Sequence, residues 1–332
     1  MSYTIPMQFF RATIDALSRR DIDVAHAVGE AGLDWQLFSA ERARMTPEQA
    51  TAVTVSLWKQ TGDELLGMGP RRLPRGSLRL AALSVIHTPD LRAALTRIGE
   101  FTEVTMGTKI SLVVDGDLAT LSVGSAAEPV DPIVAFSAVA GVHRFSAWLI
   151  DAPVAVRSLQ FPFDASHLSS DYETIFGAPA TFTADRLSLG FDAALLDRPA
   201  IRTEADLKAL LRNAPGSLFY PPSQSTTLES RIRRILDTDP NGPWIASNEL
   251  AGRVFMSAPH MRRRLRSEGT SVRDIQDGIL RDRAVRALVH SDEPIADIAA
   301  RLGYSEPSAF RRAFHRWTGS APIDYRQGPK TP

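Results

Sequence analysis

The stretch GYSEPSAFRRAFHRWTG, residues 303–319, combines a glycine, an early proline, a spaced aromatic stripe and three arginines. Gly303 supplies a left-handed stop for the segment before it, and Ser305 or Glu306 starts a new helix with Pro307 early inside it. Phe310, Ala313, Phe314 and Trp317 recur at i, i+3, i+4 and i+7, which predicts a buried stripe. Ser308, Arg311, Arg312 and His315 then share the opposite face, with Arg316 beside them. Glu306 has two open roles, a helix-start residue or an acceptor for a cytosine amine.

Working outward, Pro294 opens a short helix whose Ile295, Ile298, Ala299 and Leu302 form one apolar face. The small Ala299 stands where two backbones must approach. Two helices joined by a tight glycine turn make a helix-turn-helix, at about 294–318. The pattern recurs in ASNELAGRVFMSAPHMRRRLRSEG, residues 246–269, and defines a first unit at about 245–268. Ala251 answers Ala299, Ser257 answers Ser305 and Pro259 answers Pro307. Met261 and Leu265 hold the inner stripe, while Pro259, Arg262, Arg263 and Arg266 point outward. Phe255 stands where the second unit has Gly303, so this turn either uses another backbone conformation or holds a bulky residue at positive φ. Between the units, SVRDIQDGILRDRAVRALVH reads as one connecting helix at 272–289, roughly 25 Å long, against about 34 Å between successive major-groove faces. Two recognition helices on such a spacer suit consecutive major grooves.

Before residue 213 the pattern is mixed. Residues from about 5 to 61 read as helices, with Thr46-Pro47 and Glu48 as a helix start, and HTPDLRAALTRIGEFTEV reads as an amphipathic helix opened by Thr88-Pro89. KISLVVDGDLATLSVG is a hairpin around Asp115-Gly116. DPIVAFSAVAGVHRFSAWLI is a helix, PVAVRSLQFPF a strand, DYETIFG a short helix, ATFTADRLSLGFD a second hairpin, and TEADLKALLRNAP a closing helix. NAPGSLFYPPSQSTT is the linker. The expected fold is an α+β N-terminal domain of helices and short antiparallel hairpins, followed by an all-α C-terminal domain with two helix-turn-helix units. The domains are 1–212 for ligand sensing and dimerisation, 213–227 for the linker and 228–332 for DNA binding.

The chain has 332 residues, enough for two domains, and no cysteine, which excludes thiol catalysis, disulfides and cysteine-based zinc sites. Its 38 basic and 38 acidic residues cancel overall, yet from Ser225 onward there are 18 basic against 13 acidic, with 20 against 25 before it. The molecule is polarised, with its excess of positive charge on the helix-turn-helix side. Seventeen of those 18 are arginine, the residue suited to bidentate contact with guanine or phosphate. Seven scattered histidines form no metal motif, and neither a nucleophile elbow nor spaced catalytic carboxylates appear. We therefore expect no catalytic residues, no metal and no cofactor. No membrane span or secretion signal is legible, so a cytoplasmic location is expected.

The stretch PIADIAARLGYSEPSAFRRAFHRWTGSAPIDYR, residues 294–326, closely resembles the signature of the AraC/XylS family of transcription regulators, including Gly319, Pro322, Tyr325 and Arg326. The first unit resembles it more loosely, with Phe255 as the departure. Upstream, LPRGSLRLAALSVIHTPDLRAALTRI and IFGAPATFTADRLSLGFDAALLDRPA are similar to the N-terminal region of the ornithine-regulator-like subgroup, described as an arabinose-binding-type domain. The resemblance implies a cytoplasmic regulator of promoter DNA, a homodimer that acts with RNA polymerase, and a small-molecule effector on the N-terminal domain. It places the base-reading positions at Pro259, Arg262 and Arg263 and at Pro307, Ser308 and Arg312. Arg264, Arg266, Arg311 and Arg316 are then phosphate contacts, which position without specifying. Two alternatives stay open, an enzyme or a ligand-independent dimerisation module fused to the DNA-binding domain. Segments around Trp58, 80–86 and 136–148 suit a pocket and a core equally, so the effector contacts are unknown. Leu207 and Leu211 are expected to offer a dimer surface.

Overall fold

A computed structural model describes residues 3–20, 22–123, 131–166, 169–212, 228–239 and 242–326. The linker expected at 213–227 lies outside them. In chain order the elements are β1 (Ile5–Pro6), α1 (Gln8–Ser18), α2 (Val24–Glu30), β2 (Arg44–Met45), α3 (Pro47–Thr61), α4 (Ser77–Val85), α5 (Leu91–Met106), β3 (Ile110–Asp115) and β4 (Leu118–Val123). There follow α6 (Pro132–Leu149), β5 (Val156–Gln160), α7 (Ser169–Phe176), β6 (Leu187–Asp192) and α8 (Glu204–Leu211). The C-terminal helices are α9 (Leu228–Thr238), α10 (Ser247–Arg253), α11 (Ala258–Ser267), α12 (Val272–His290), α13 (Ile295–Arg301), α14 (Pro307–Thr318) and α15 (Pro322–Arg326). The N-terminal part is α+β and the C-terminal part is helical. By packing, one compact unit comprises Ala12–Val24 and Thr51–Ser223, and the other comprises Met1–Arg11, Ala25–Ala50 and Gln224–Pro332.

The first of these units is built on an antiparallel sheet in the order β3-β4-β6-β5. Its register sets Leu112 opposite Leu121, Leu121 opposite Leu189 and Leu189 opposite Leu159. One face thus carries a leucine row across all four strands, the period-two consequence of alternating apolar residues. Phe136 of α6 packs edge-on against Tyr172 and Phe176 of α7. Asp90, rather than the expected Thr88-Pro89, caps α5 by accepting from the Ala93 amide at 2.8 Å. Thr88 instead donates to the Val85 carbonyl at 2.7 Å, because it serves the end of the preceding helix. The second expected hairpin contains one strand. Only β6 forms, and it pairs with β4 and β5, while Thr181 makes an isolated bridge to Gln160. Leu207 is buried with Val85, Ile86, Ala94 and Leu149, which removes it from any dimer surface.

The other unit contains the C-terminal helices. Ile232 and Leu236 of α9, Leu250 and Ala251 of α10, and Met261 and Leu265 of α11 close on Ile275 and Ile279 of α12. In the second half Ile298, Ala299, Phe310, Phe314 and Tyr325 are buried, and Phe314 meets Tyr325 edge-on at 5.2 Å. The same unit takes in a β-clasp that helical periodicity did not predict. Ile5 pairs with Met45 and Pro6 with Arg44. Two-residue strands carry no readable period and exist through partners distant in sequence. The Arg44 amide donates to the Tyr325 hydroxyl at 2.9 Å, and Thr4 donates to the fully buried Asp282 at 2.5 Å. Residues 3–11 and 25–50 are therefore part of the body that carries the C-terminal helices.

Candidate nucleic-acid interface

The two helix pairs close their turns in the same way. In the second, the Gly303 amide donates to Ala300 and the Tyr304 amide to Ala299, each at 2.9 Å. In the first, the Phe255 amide donates to Gly252 at 3.0 Å and the Met256 amide to Ala251 at 2.9 Å. Gly303 has φ 86° and Phe255 has φ 60°. The first turn thus keeps the left-handed geometry and holds a phenylalanine in it, at a cost of about 1 kcal/mol. Ala251 and Ala299 are both buried where the paired helices approach. Trp244, which had no periodic signal in the sequence, donates its indole N–H to the Leu302 carbonyl at 3.3 Å and lies over the second turn.

Each second helix then presents its outer face. In α11 the Ser257 side chain caps the start by accepting from the His260 amide, and Pro259 lies in the first turn. Pro259, Arg262, Arg263, Arg264 and Arg266 are all exposed, over a buried stripe of Ala258, Met261 and Leu265. In α14 Glu306 occupies the cap position without a side-chain hydrogen bond, and Gly319 ends the helix at φ 73°. Pro307, Ser308, Arg311, Arg312 and Arg316 are exposed over buried Phe310, Ala313, Phe314 and Trp317.

The arginines differ in how they are held. Arg264 faces Glu268 at 3.5 Å, and that carboxylate also accepts from the Leu228 and Glu229 amides. The Arg266 Nε donates to the Arg262 carbonyl at 3.4 Å. Arg316 leans toward Asp277 of α12 at 3.4 Å, while its carbonyl accepts from Arg42 at 3.2 Å. Among the described residues no carboxylate pairs with Arg262, Arg263, Arg311 or Arg312, which leaves their guanidinium forks open to guanine or phosphate. Arg253 at the end of α10 is different. Asp239 at 2.5 Å and Glu249 at 2.7 Å hold it and raise its pKa, so it is committed to the fold. An open groove along α12 is also not a free basic patch, since Arg286 faces Glu48 at 3.5 Å and Arg301 pairs with Glu293 at 2.7 Å.

In the N-terminal part the segments that suited either a pocket or a core divide. Phe136 and Ile86 are core, Leu80 is exposed, and Trp58 donates its indole N–H to the Glu64 carbonyl at 2.9 Å. These facts single out no effector contact. Among the described residues no group of three or more His, Asp or Glu side chains could hold a metal, and no helix is long and apolar enough to cross a membrane.

Two repeated helix-turn-helix pairs, each with an arginine-bearing outer face on a small apolar core, define a DNA-binding transcription regulator. The model for the arabinose-binding domain of AraC transcription regulators matches residues 22–200, and a helix-turn-helix domain model matches residues 250–328. The chain belongs to the AraC family of transcription regulators. It is 23% identical to the ornithine utilization regulator of Pseudomonas aeruginosa over 330 residues, covering 98% of this chain and 97% of that one. It is 33% identical over 159 residues to VqsM of the same organism, covering 47% of this chain and 48% of that one. To VirS of Mycobacterium tuberculosis it is 29% identical over 184 residues, covering 54% and 52%. The crystal structure of the transcriptional regulator CdpR from Pseudomonas aeruginosa aligns at 20% identity and a TM-score of 0.30 over 85% of this chain and 87% of that one.

Proposed function

We propose that the chain reads a two-part promoter site, with α11 and α14 entering consecutive major grooves of double-stranded DNA. The open, outward guanidiniums on both second helices carry this reading. Arg262, Arg263 and Arg312 suit guanine O6 and N7, Ser308 suits either hydrogen-bonding edge, and Pro259 and Pro307 offer apolar contact. Arg264, Arg266, Arg311 and Arg316 position the helices on phosphates. The 19 residues of α12 span about 28 Å, close to the roughly 34 Å groove repeat once the widths of the attached helices are added.

Arg312→Ala is expected to weaken the preferred site by about 1–3 kcal/mol and to relax base preference at one position, with little change for unrelated DNA. Arg311→Ala should weaken all sequences alike and flatten the salt dependence by about one phosphate contact. Binding isotherms on selected and scrambled duplexes at several salt concentrations decide it. A uniform loss for Arg312→Ala removes its base-reading role.

As functional regions we retain 1–212 for sensing and dimerisation, 213–227 as linker and 228–332 for DNA binding, with residues 3–11 and 25–50 packed alongside the latter helices. We further infer a cytoplasmic homodimer that acts with RNA polymerase, takes a small-molecule effector and has no enzymatic activity. The arabinose-binding-type match supports the effector, and the naming of the relatives as regulators supports the non-enzymatic reading. Thermal unfolding of the full chain across a metabolite set should reveal one compound that raises stability by mass action, unchanged after incubation. A flat response to every compound favours a pure dimerisation module, and conversion of the compound favours an enzyme. Light scattering reports whether the chain is a dimer.

A further inference from the structure

Phe255 combines two unfavourable conditions at a turn that does not call for a phenylalanine. Its backbone is at φ 60°, and its side chain is 92% exposed. It makes no ring contact among the described residues. The second helix-turn-helix closes the same hydrogen-bonded turn with Gly303 and escapes the strain. A bulky residue held in a left-handed conformation without internal packing points to a contact outside the chain.

The second turn indicates what that contact involves. A Cβ added to Gly303 would meet the Trp244 indole, with Nε1 at 2.5 Å and Cε2 at 2.9 Å. In the second unit an aromatic ring, 58% exposed, therefore occupies the direction in which the Phe255 side chain leaves the first turn. The two units present an aromatic ring at the same place by different means. In both, that place lies in the turn that leads into the helix carrying the open arginines. Phe255 stands two residues before the Ser257 cap and four before Pro259, beside the helix end that meets base edges in helix-turn-helix proteins.

We propose that Phe255 is a DNA contact of the first helix-turn-helix unit, packing its ring on an apolar surface of the site, a thymine methyl or a deoxyribose. The inference rests on α11 being a recognition helix, as argued above. A phenyl ring has no hydrogen bond to give, and the apolar groups within reach of such a turn on duplex DNA are those two. Packing there returns, on binding, the ring area left exposed in the free protein.

The test uses the full chain with Phe255→Gly and Phe255→Asn, since both residues accept left-handed backbone. Thermal unfolding should stay at the wild-type temperature or rise by up to a few degrees. Affinity for a duplex selected from random sequence should fall roughly 5- to 30-fold, the scale of partly burying an aromatic ring. Deoxyuridine scanning of that duplex separates the two surfaces. One thymine position that matters to wild type but not to Phe255→Gly assigns the methyl, and its absence alongside the affinity loss assigns the sugar. Unchanged affinity in both variants overturns the proposal, as does a fall in unfolding temperature that shows Phe255 packing within the fold. A loss of self-association with DNA affinity intact also overturns it and assigns the ring to a second copy. Arg263→Ala is run in parallel. If Arg263→Ala relaxes base preference while the Phe255 variants do not alter binding, this inference alone fails. If neither has an effect, the recognition-helix reading fails with it.

Discussion

Asp282→Ala is expected to destabilise the body that carries the helix-turn-helix pairs by about 3–5 kcal/mol, because it strands buried positive charge. The Asp282 side chain is fully buried on α12 and accepts from Thr4 at 2.5 Å, from Arg281 at 3.1 Å and from Arg233 at 3.4 Å. Arg281 and Arg233 are only 20% and 19% exposed, and Arg44, also buried, donates to Thr4 at 2.8 Å. Without the carboxylate, three guanidiniums would face one another in a poorly hydrated site. Thr4→Val removes two hydrogen bonds, the one donated to Asp282 and the one accepted from Arg44, but keeps the carboxylate in place, and should cost about 2 kcal/mol. Hydrogen exchange of the α12 amides during urea unfolding measures both. Equal, small losses for the two variants would mean that water already compensates the charges.

The second large effect is a loss of stability on acidification of the unit comprising Ala12–Val24 and Thr51–Ser223, centred on His143. His143 is 2% exposed, and its Nε2 donates to the Val154 carbonyl at 2.7 Å. That bond assigns the proton to Nε2 and leaves Nδ1 a buried acceptor with no partner among the described residues. Burial, with the neighbouring Arg144 adding to it, pushes the His143 pKa down to about 4 from the ordinary 6.5. The folded state therefore excludes a proton that the unfolded chain binds. The stability contribution is complete above pH 6.5 and is lost as pH falls from 6.5 toward 4, by about 3 kcal/mol in all. His143→Gln can still donate to Val154 but cannot titrate, so its thermal-unfolding profile between pH 7 and 4.5 should be flatter. Parallel profiles would assign the acid sensitivity to other groups.

The helix-turn-helix pairs were legible because every signal for them is local. Gly303, Pro307 and the spacing of Phe310, Phe314 and Trp317 are read within one or two helical turns, and the structure buries the stripe and exposes the arginines as that spacing requires. The register of Ala251 against Ala299 located the first unit, although Phe255 left its turn open between two conformations. The turn takes positive φ there, because the Met256 amide must still reach the Ala251 carbonyl. Single residues were harder to assign. Leu207 has the apolar character of an interface residue and of a core residue alike, and contact with Val85 and Leu149 from distant segments makes it core.

Periodicity and capping residues sufficed for the class of the protein and for its basic, outward-facing helices, since helix formation and the choice of buried face are decided within a few residues. What the arginines are bonded to was not legible. Arg253 and Arg312 look alike in the sequence, yet one is spent on Asp239 and Glu249 and the other pairs with no carboxylate among the described residues. The same holds for the clasp of Thr4 and Arg44 on Asp282 and Tyr325, and for the indole of Trp244 over Gly303. These contacts join residues 40 to about 280 positions apart, and such pairings leave no periodic trace because chain folding alone brings them within bonding distance.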